Sequence, residues 1–364
     1  MPPGAETVWH WEFDPWVLAL ILIPGVLYVC GWRQVHRQMP HRFGAARLAA
    51  FLAGLAALFI AIASPLHAYA DLLLTAHMLQ HLLLMLIVPP LLLAGAPSLP
   101  LLRGLPRRFV KHGLGPFLAW PALWRWGRRL THPLTAWLAF VVTSTAWHVP
   151  ALYELALRSP GWHAVEHLGF VATALLFWWP VLQPWPSRPQ GPRWVLLPYL
   201  FLADVQNTIL AALLTFCERV LYPTYATAPR LTAMTALDDQ AAAGAIMWVL
   251  GSVAFLIPAA CVTIQVLQGP RVAVRPVSGA VGASTASVRG QVSAAAPRPC
   301  VLASWHSLSL LPIITALCTV PQWVKRRAAR RGRQNASARV ACESACSGRK
   351  RCKWWCFKRG YRWK

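Results

Sequence analysis

Charge is scarce in this chain. Asp, Glu, Lys and Arg make up 13% of its 364 residues, about half the share of a soluble domain. Acidic side chains are scarcest, 11 against 35 Lys and Arg. So few charges cannot cover a water-facing surface of this size. Paired cysteines are also lacking before residue 269, where Cys30, Cys217 and Cys261 stand singly in apolar stretches, which excludes a disulfide framework and a thiolate metal cage. No Walker loop, dinucleotide-binding glycine pattern, nucleophile elbow or H-E-x-x-H occurs, which argues against phosphoryl transfer, hydride transfer and ordinary zinc proteolysis. The first fifteen residues hold Glu6, Glu12 and Asp14 and no Lys or Arg, unlike a cleavable secretory signal, so the first span is expected to be a retained anchor.

Apolar sequence fills the space that charge leaves. Hydrophobic residues make up 57% of the chain, and about 20 apolar residues suffice to cross a bilayer. Seven segments qualify, near 16–32, 48–64, 72–95, 133–149, 163–182, 194–216 and 241–267. The expected fold is all-α, a polytopic membrane protein with seven transmembrane helices. Pro24, Pro89, Pro90, Pro180, Pro198 and Pro258 fall within these segments, where neighbouring helices can satisfy the carbonyls that proline frees.

Basic residues set the expected orientation. Arg33, Arg37, Arg42 and Arg47 follow the first span, seven Lys and Arg from Arg103 to Arg129 follow the third, Arg188 and Arg193 the fifth, and Arg271 and Arg275 the seventh. The alternate loops hold only Arg158, Arg219 and Arg230, with Asp71, Glu154, Glu218, Asp238 and Asp239 beside them. The N-terminus is therefore expected outside and the C-terminus in the cytoplasm. Between 97 and 132, Trp120, Trp124 and Trp126 alternate with arginines, as in an amphipathic anchor lying along the membrane face.

The charge is unevenly spread. Residues 1–268 hold 16 Lys and Arg against 10 Asp and Glu, whereas 269–364 hold 19 against 1. Two parts follow: a transmembrane domain over 1–268 and a basic tail over 269–364, rich in Ala, Ser, Gly, Pro and Arg and expected to be disordered. An apolar run near 308–320 is too short to span. Cys342, Cys346, Cys352 and Cys356 lack the C-x-x-C spacing of zinc knuckles. Basic and aromatic side chains at the end suit contact with anionic lipid, and no specific nucleic-acid partner is indicated.

The third apolar stretch carries chemistry. His77 and His81 are four residues apart, so they stack on one face of a helix, and Met85 continues the stripe one turn deeper. Intramembrane imidazoles usually face a cavity or another helix, where they bind or relay something. With the orientation above, His67, His77, His81, His148, His163 and His167, six of the twelve histidines, fall in one layer near the outer face. An i, i+4 pair can place two nitrogens on one ion while another helix completes the shell. His77, His81, His148, His163 and His167 are the candidate ligands; His67, at a span end, is assigned to interfacial hydrogen bonding.

Other residues are candidates for support. Met85, with Met78 and Met247, offers thioethers that suit Cu(I), although methionine is also a packing filler. Glu166 is read as a carboxylate that orients a histidine or as an interfacial acid. Asp204, mid-span, would cost about 2.5–3.5 kcal/mol if charged and unpaired, so it must face inward, in a proton or ion path or an interhelical hydrogen bond. Asp238 and Asp239 sit where acids favour a helix N-terminus.

The run His77-Met78-Leu79-Gln80-His81-Leu82-Leu83, followed by Pro89-Pro90-Leu91-Leu92 and Gly95-Ala96-Pro97, resembles the signature stretch of the CtaG family of cytochrome c oxidase assembly factors, the seven-span proteins associated with caa-type oxidases. The likeness continues in Trp147-His148-x-Pro150, Leu152-Tyr153, His163, Glu166, His167 and Phe170, then in Phe177-Trp178-Trp179-Pro180, Tyr222-Pro223-x-Tyr225, Asp239-Gln240, Gly244 and Met247-Trp248. It covers roughly 16 to 267 and leaves the tail out. The resemblance implies a non-enzymatic, multi-pass protein of a bacterial cytoplasmic membrane, partnered with haem-copper oxidase subunits and supplying copper from the outer side. Rival readings of the same residues are a haem-binding electron carrier, an intramembrane zinc hydrolase with Asp239 or Glu166 as base, and a transporter that uses Asp204.

Overall fold

The protein is described here from a computed structural model, over residues 11, 13–231 and 233–268. The expectations for 269–364, including the tail cysteines and the apolar run near 308–320, fall outside these residues. The described residues form helices and no β-strand. In chain order they are α1 (Pro15–Gln38), α2 (Ala45–Ala63), α3 (Pro65–Ala70), α4 (Leu74–Ala94), α5 (Ser98–Gly104), α6 (Pro121–Leu130), α7 (Pro133–Trp147), α8 (Pro150–Arg158), α9 (Pro160–Leu182), α10 (Arg193–Phe216), α11 (Pro223–Thr227) and α12 (Ala236–Leu267). Irregular helical turns occupy 109–118.

Proline writes many of these starts. Its fixed φ and missing N–H suit the first helical turn, and α1, α3, α6, α7, α8, α9 and α11 all begin that way. Asp14 caps α1 and Ser64 caps α3 through their side chains. Thr235 and Asp238 cap each other at the start of α12 in a capping box, so Asp238 has a sufficient structural role.

Among the described residues, six helices, α1, α2, α4, α9, α10 and α12, are long and apolar enough to cross a membrane. The seventh expected segment, 133–149, differs: α7 has 15 residues, about 22 Å at helical rise. It stops because the chain leaves the helix at His148 and Val149, and Pro150 starts a new one. Pro133 nonetheless lines a hollow with Trp179, Pro180 and Gln183 at the C-terminal end of α9. Thr143 and Trp147 pack on Gly169 near the other end. Thus α7 runs antiparallel to α9 over most of that helix.

The bundle is built around α4. Its most apolar window is 72% buried by the rest of the protein, against 11% in α1 and 39% in α9. Elsewhere, large apolar side chains such as Leu168, Phe201, Ile209, Phe216 and Val249 point outward, as lipid-facing surfaces do. Near the C-terminal end of α4, Pro89 and Pro90 cannot donate to the carbonyls of Met85 and Leu86, four residues earlier. The helix widens into a π turn over Leu83–Ile87, and the indole of Trp178 on α9 donates to Met85 O at 2.9 Å. A buried side chain thereby replaces a backbone donor lost to sequence.

Polar and small residues fix the helices around it. Asp239 on α12 accepts from Leu74 N at 2.7 Å and Thr75 N at 3.2 Å, and takes the Thr75 hydroxyl as well. It therefore caps α4 from another helix, satisfying N–H groups that Leu73 cannot. Gln80, fully buried, donates to Ala61 O on α2 at 2.7 Å. Gly244 lets α12 approach α10 so closely that a Cβ there would lie 2.7 Å from Thr215 N and 2.8 Å from Ala211 O. Gly31 and Gly104 do the same for α1 and α5, where a Cβ would collide with the Pro100 and Leu27 carbonyls respectively.

Replacing Asp239 by Ala should strand buried donors and lower the stability of detergent-solubilised protein by about 1–3 kcal/mol; an unchanged thermal midpoint would contradict the capping role. Gly244→Leu should cost about 1–3 kcal/mol by overpacking. Gly127→Ala, where a Cβ meets nothing within 4 Å, should leave the midpoint level or slightly raised, measured in the same thermal scan.

Candidate metal centre

At one end of the bundle, α4 and α9 bring their polar residues face to face. His77, His81 and Glu166 are buried, and His163 is partly exposed with its Nε2 enclosed. His77 Nε2 lies 3.9 Å from Glu166 Oε2, and His81 Nε2 lies 3.7 Å from Oε1. These gaps are too wide for hydrogen bonds. Neither carboxylate oxygen has a hydrogen-bond partner, nor do the Nε2 atoms of His77, His81 and His163. One ligand atom from each of His77, His81, His163 and Glu166 falls within 4.8 Å of all the others. Two donors on one tetrahedral ion at about 2.0–2.1 Å sit roughly 3.3 Å apart, so the group is spaced like a slightly expanded metal shell.

The local sequence explains the convergence. His77 and His81 share a helical face, and so do His163, Glu166 and His167 at i, i+3 and i+4. Helix α4 presents its pair where α9 presents its triplet. The rings of His77 and His81 have centroids 4.2 Å apart, those of His77 and His163 are stacked at 5.3 Å, and those of His81 and His167 meet edge to face at 5.5 Å.

Hydrogen bonds outside the cluster decide which nitrogens are free. Tyr225 donates its hydroxyl to Ala70 O at 2.9 Å and lies 3.0 Å from His77 Nδ1. Having spent its proton, it must accept from Nδ1–H, which leaves the Nε2 lone pair facing Glu166. Tyr153, 3.3 Å from the Tyr225 oxygen, supplies a second donor. Burial pushes both phenols well above their usual range, so both stay protonated. The loop bearing Tyr225 is held by Glu154 on α8, which accepts from Thr224 N at 3.1 Å and the Thr224 hydroxyl at 2.7 Å. Fixing a ligating imidazole through its far nitrogen is the usual support for a metal site.

Three of the five histidines expected as ligands, His77, His81 and His163, converge with Glu166. His167 flanks them, its ring 4.2 Å from that of His163 and its Nε2 buried without a partner. His148 is not in this group. Its Nδ1–H donates to Ser144 O at 2.7 Å, leaving Nε2 buried and unpartnered, and with His81 it lines a small cavity. Met85 and Met247 line that same cavity, away from the carboxylate. Asp239 acts on the site only by capping α4. Asp204 is not among the clustered residues, and its Oδ1 has no hydrogen-bond partner.

Two residues stand closer to the cluster than their spacing suggested. Glu166, read from sequence as an orienting or interfacial acid, lies among the potential ligand atoms, because its place three residues after His163 turns it inward. His67, assigned to the interface, stacks on His163 with centroids 5.5 Å apart and lies 6.4 Å from the His167 ring. Gln80 Nε2 donates to His67 Nδ1 at 3.1 Å, so His67 lies beside the cluster through the packing of α3 on α4. Gln80, Tyr153 and Tyr225 are further supporting residues not singled out by spacing. A glutamine in mid-span was the available signal for the first, and a tyrosine in the first turn of a short proline-started helix for each of the others.

No solved structure matches this chain. Curated relatives include an uncharacterized protein of Mycobacterium bovis, 26% identical over 287 residues that make up 75% of this chain and 42% of the relative. Another, from Mycobacterium leprae, is 27% identical over 276 residues, 73% of this chain and 41% of the relative. The chain thus spans about two-fifths of the length of these relatives. Residues 26–269, from within α1 to the end of α12, match the family described as cytochrome c oxidase caa3 assembly factor. The match takes in the whole His77, His81, His163 and Glu166 cluster, and the chain belongs to the caa3-type cytochrome c oxidase assembly factor family.

Proposed function

We propose that this chain binds Cu(I) as cargo at His77, His81, His163 and Glu166 and delivers it to a haem-copper oxidase during assembly. The observation that carries the reading is the Glu166 carboxylate, buried with both oxygens bare and three imidazole nitrogens around it. An isolated buried charge is costly. One carboxylate, neutral imidazoles and a monovalent ion sum to zero, whereas a divalent ion would leave a net charge in a low-dielectric interior. Imidazole donors suit copper, and the chain's family is one of oxidase assembly factors. The cavity against His81, about 30 Å³, is far too small for a haem macrocycle, which argues against the electron-carrier reading.

The arrangement favours transfer over storage. His163 is partly exposed, so the centre meets its surroundings at the N-terminal end of α9, where a partner subunit could take the ion. In our reading α7 is a short seventh crossing, since it runs beside α9 from Pro133 to Trp147. On that reading, with an odd number of crossings and the basic loops inside, this end of the bundle is at the outer face of a bacterial cytoplasmic membrane. The exposed Trp120, Trp124 and Trp126 of α6 and its approach, with Arg129 5.4 Å over the Trp126 ring, then rest against lipid at the cytoplasmic side.

In cells lacking their own copy of such a factor, this chain should restore haem-copper oxidase activity. Glu166→Gln and His77→Ala, at equal membrane abundance, should restore less than a tenth of it, with correspondingly less copper in the isolated oxidase. Wild-type oxidase activity and copper content with Glu166→Gln would overturn the proposal.

A further inference from the structure

A second chamber opens against His81. It is a cavity of about 30 Å³ whose walls include Met78, Met85 and Met247, three of the chain's six methionines, together with His81 and His148. His77, His163 and Glu166 are not part of its lining. The volume exceeds what one water needs, so a single desolvated ion fits.

Methionine alone would be read as packing. Here two imidazoles accompany it in unsatisfied form: His148 has committed Nδ1–H to Ser144 O, so its buried Nε2 is a bare lone pair, and His81 has no hydrogen-bond partner on either ring nitrogen. Leaving buried acceptors unmatched costs free energy that an apolar gap would not demand. The backbones of two of the thioether residues are also pinned, one from outside the chamber and one by Asn207 in its wall. Trp178 Nε1 donates to Met85 O at 2.9 Å, and Asn207 Nδ2 donates to Met247 O at 3.3 Å. The π turn that proline forces on α4 carries Met85, a distortion often found at functional sites.

We propose that this chamber is a second, softer Cu(I) site, built from Met85, Met247 and His148 and sharing His81 with the carboxylate centre. The inference rests on the Cu(I) reading above and adds a route to it. Thioether and imidazole are preferred ligands of Cu(I). His81 stands in both sets but, as a neutral imidazole, offers one lone pair at a time, so the ion passes between chambers by ligand exchange at that residue as its ring proton is released from one nitrogen and taken up at the other, with no change in oxidation state and no crossing of uncoordinating protein. The thioether site holds the ion without a carboxylate, and the Glu166 centre, at the partly exposed His163, is the point of release.

The test uses the full chain in detergent, loaded anaerobically with Cu(I), with bound copper counted and its ligand shell read by X-ray absorption. Wild type should bind two equivalents and show a sulfur shell beside nitrogen and oxygen. Met85→Leu/Met247→Leu, a nearly volume-conserving change, should keep the thermal midpoint, lose the sulfur shell and bind one equivalent. His77→Ala/Glu166→Gln should keep the sulfur shell with one equivalent. No sulfur shell in wild type, or a sulfur shell and stoichiometry unchanged by the methionine substitutions, would overturn the second site. A wild type that binds one equivalent, with sulfur in its shell, would instead count against the carboxylate centre, which keeps the two failures apart.

Discussion

The Nε2 atoms of His77 and His81 face the two oxygens of Glu166 across 3.7–3.9 Å of protein interior, with no hydrogen bond between them. An ionised carboxylate there would need something positive in the same space, and without it the group is kept neutral by a proton. The surrounding structure is built about this group. Around the group, α4 is the most enclosed of the long apolar helices, its apolar window 72% buried; α9 presents His163, Glu166 and His167 on one face; and Tyr225, from outside the cluster, settles the free nitrogen of His77.

The supports are distributed along the whole chain rather than gathered near the site. Asp239 on α12 fixes the start of α4, Gln80 ties α4 to α2 and His67, and Glu154 holds the loop that delivers Tyr225 to His77. Trp178 makes good the carbonyl that Pro89 leaves open. Each contact joins residues far apart in sequence, so the cluster exists only when the bundle is assembled. This is the expected construction for a site that is held rigid in position.

Much of this was legible before any coordinates. Hydrophobic length located the helices, and helical arithmetic stacked His77 on His81 and His163 on His167. The layer of histidines followed from span order and loop charge. What spacing could not give was azimuth: nothing in 133–149 tells that His148 turns its Nδ1–H back to Ser144 O and joins the methionines instead of Glu166. The role of His67 depended on how α3 registers against α4, and that of Asp239 on a contact 165 residues distant in sequence. Helix α7 came out shorter than its apolar segment because Pro150 restarts the chain two residues after His148. Glu166 is the instructive case, since its i+3 relation to His163 already put it on the inward face, while its depth alone suggested an interfacial acid.

The central claim is that the α4–α9 cluster is a copper site, and an anaerobic Cu(I) titration against a competing chelator, run on the full chain and on His77→Ala/His81→Ala, tests it most directly. The account predicts tight binding by the unaltered chain and at least a hundredfold weaker binding by the double variant, with no haem absorbance in either preparation. Equal Cu(I) affinity in the two proteins would contradict it and return both histidines to a purely structural role.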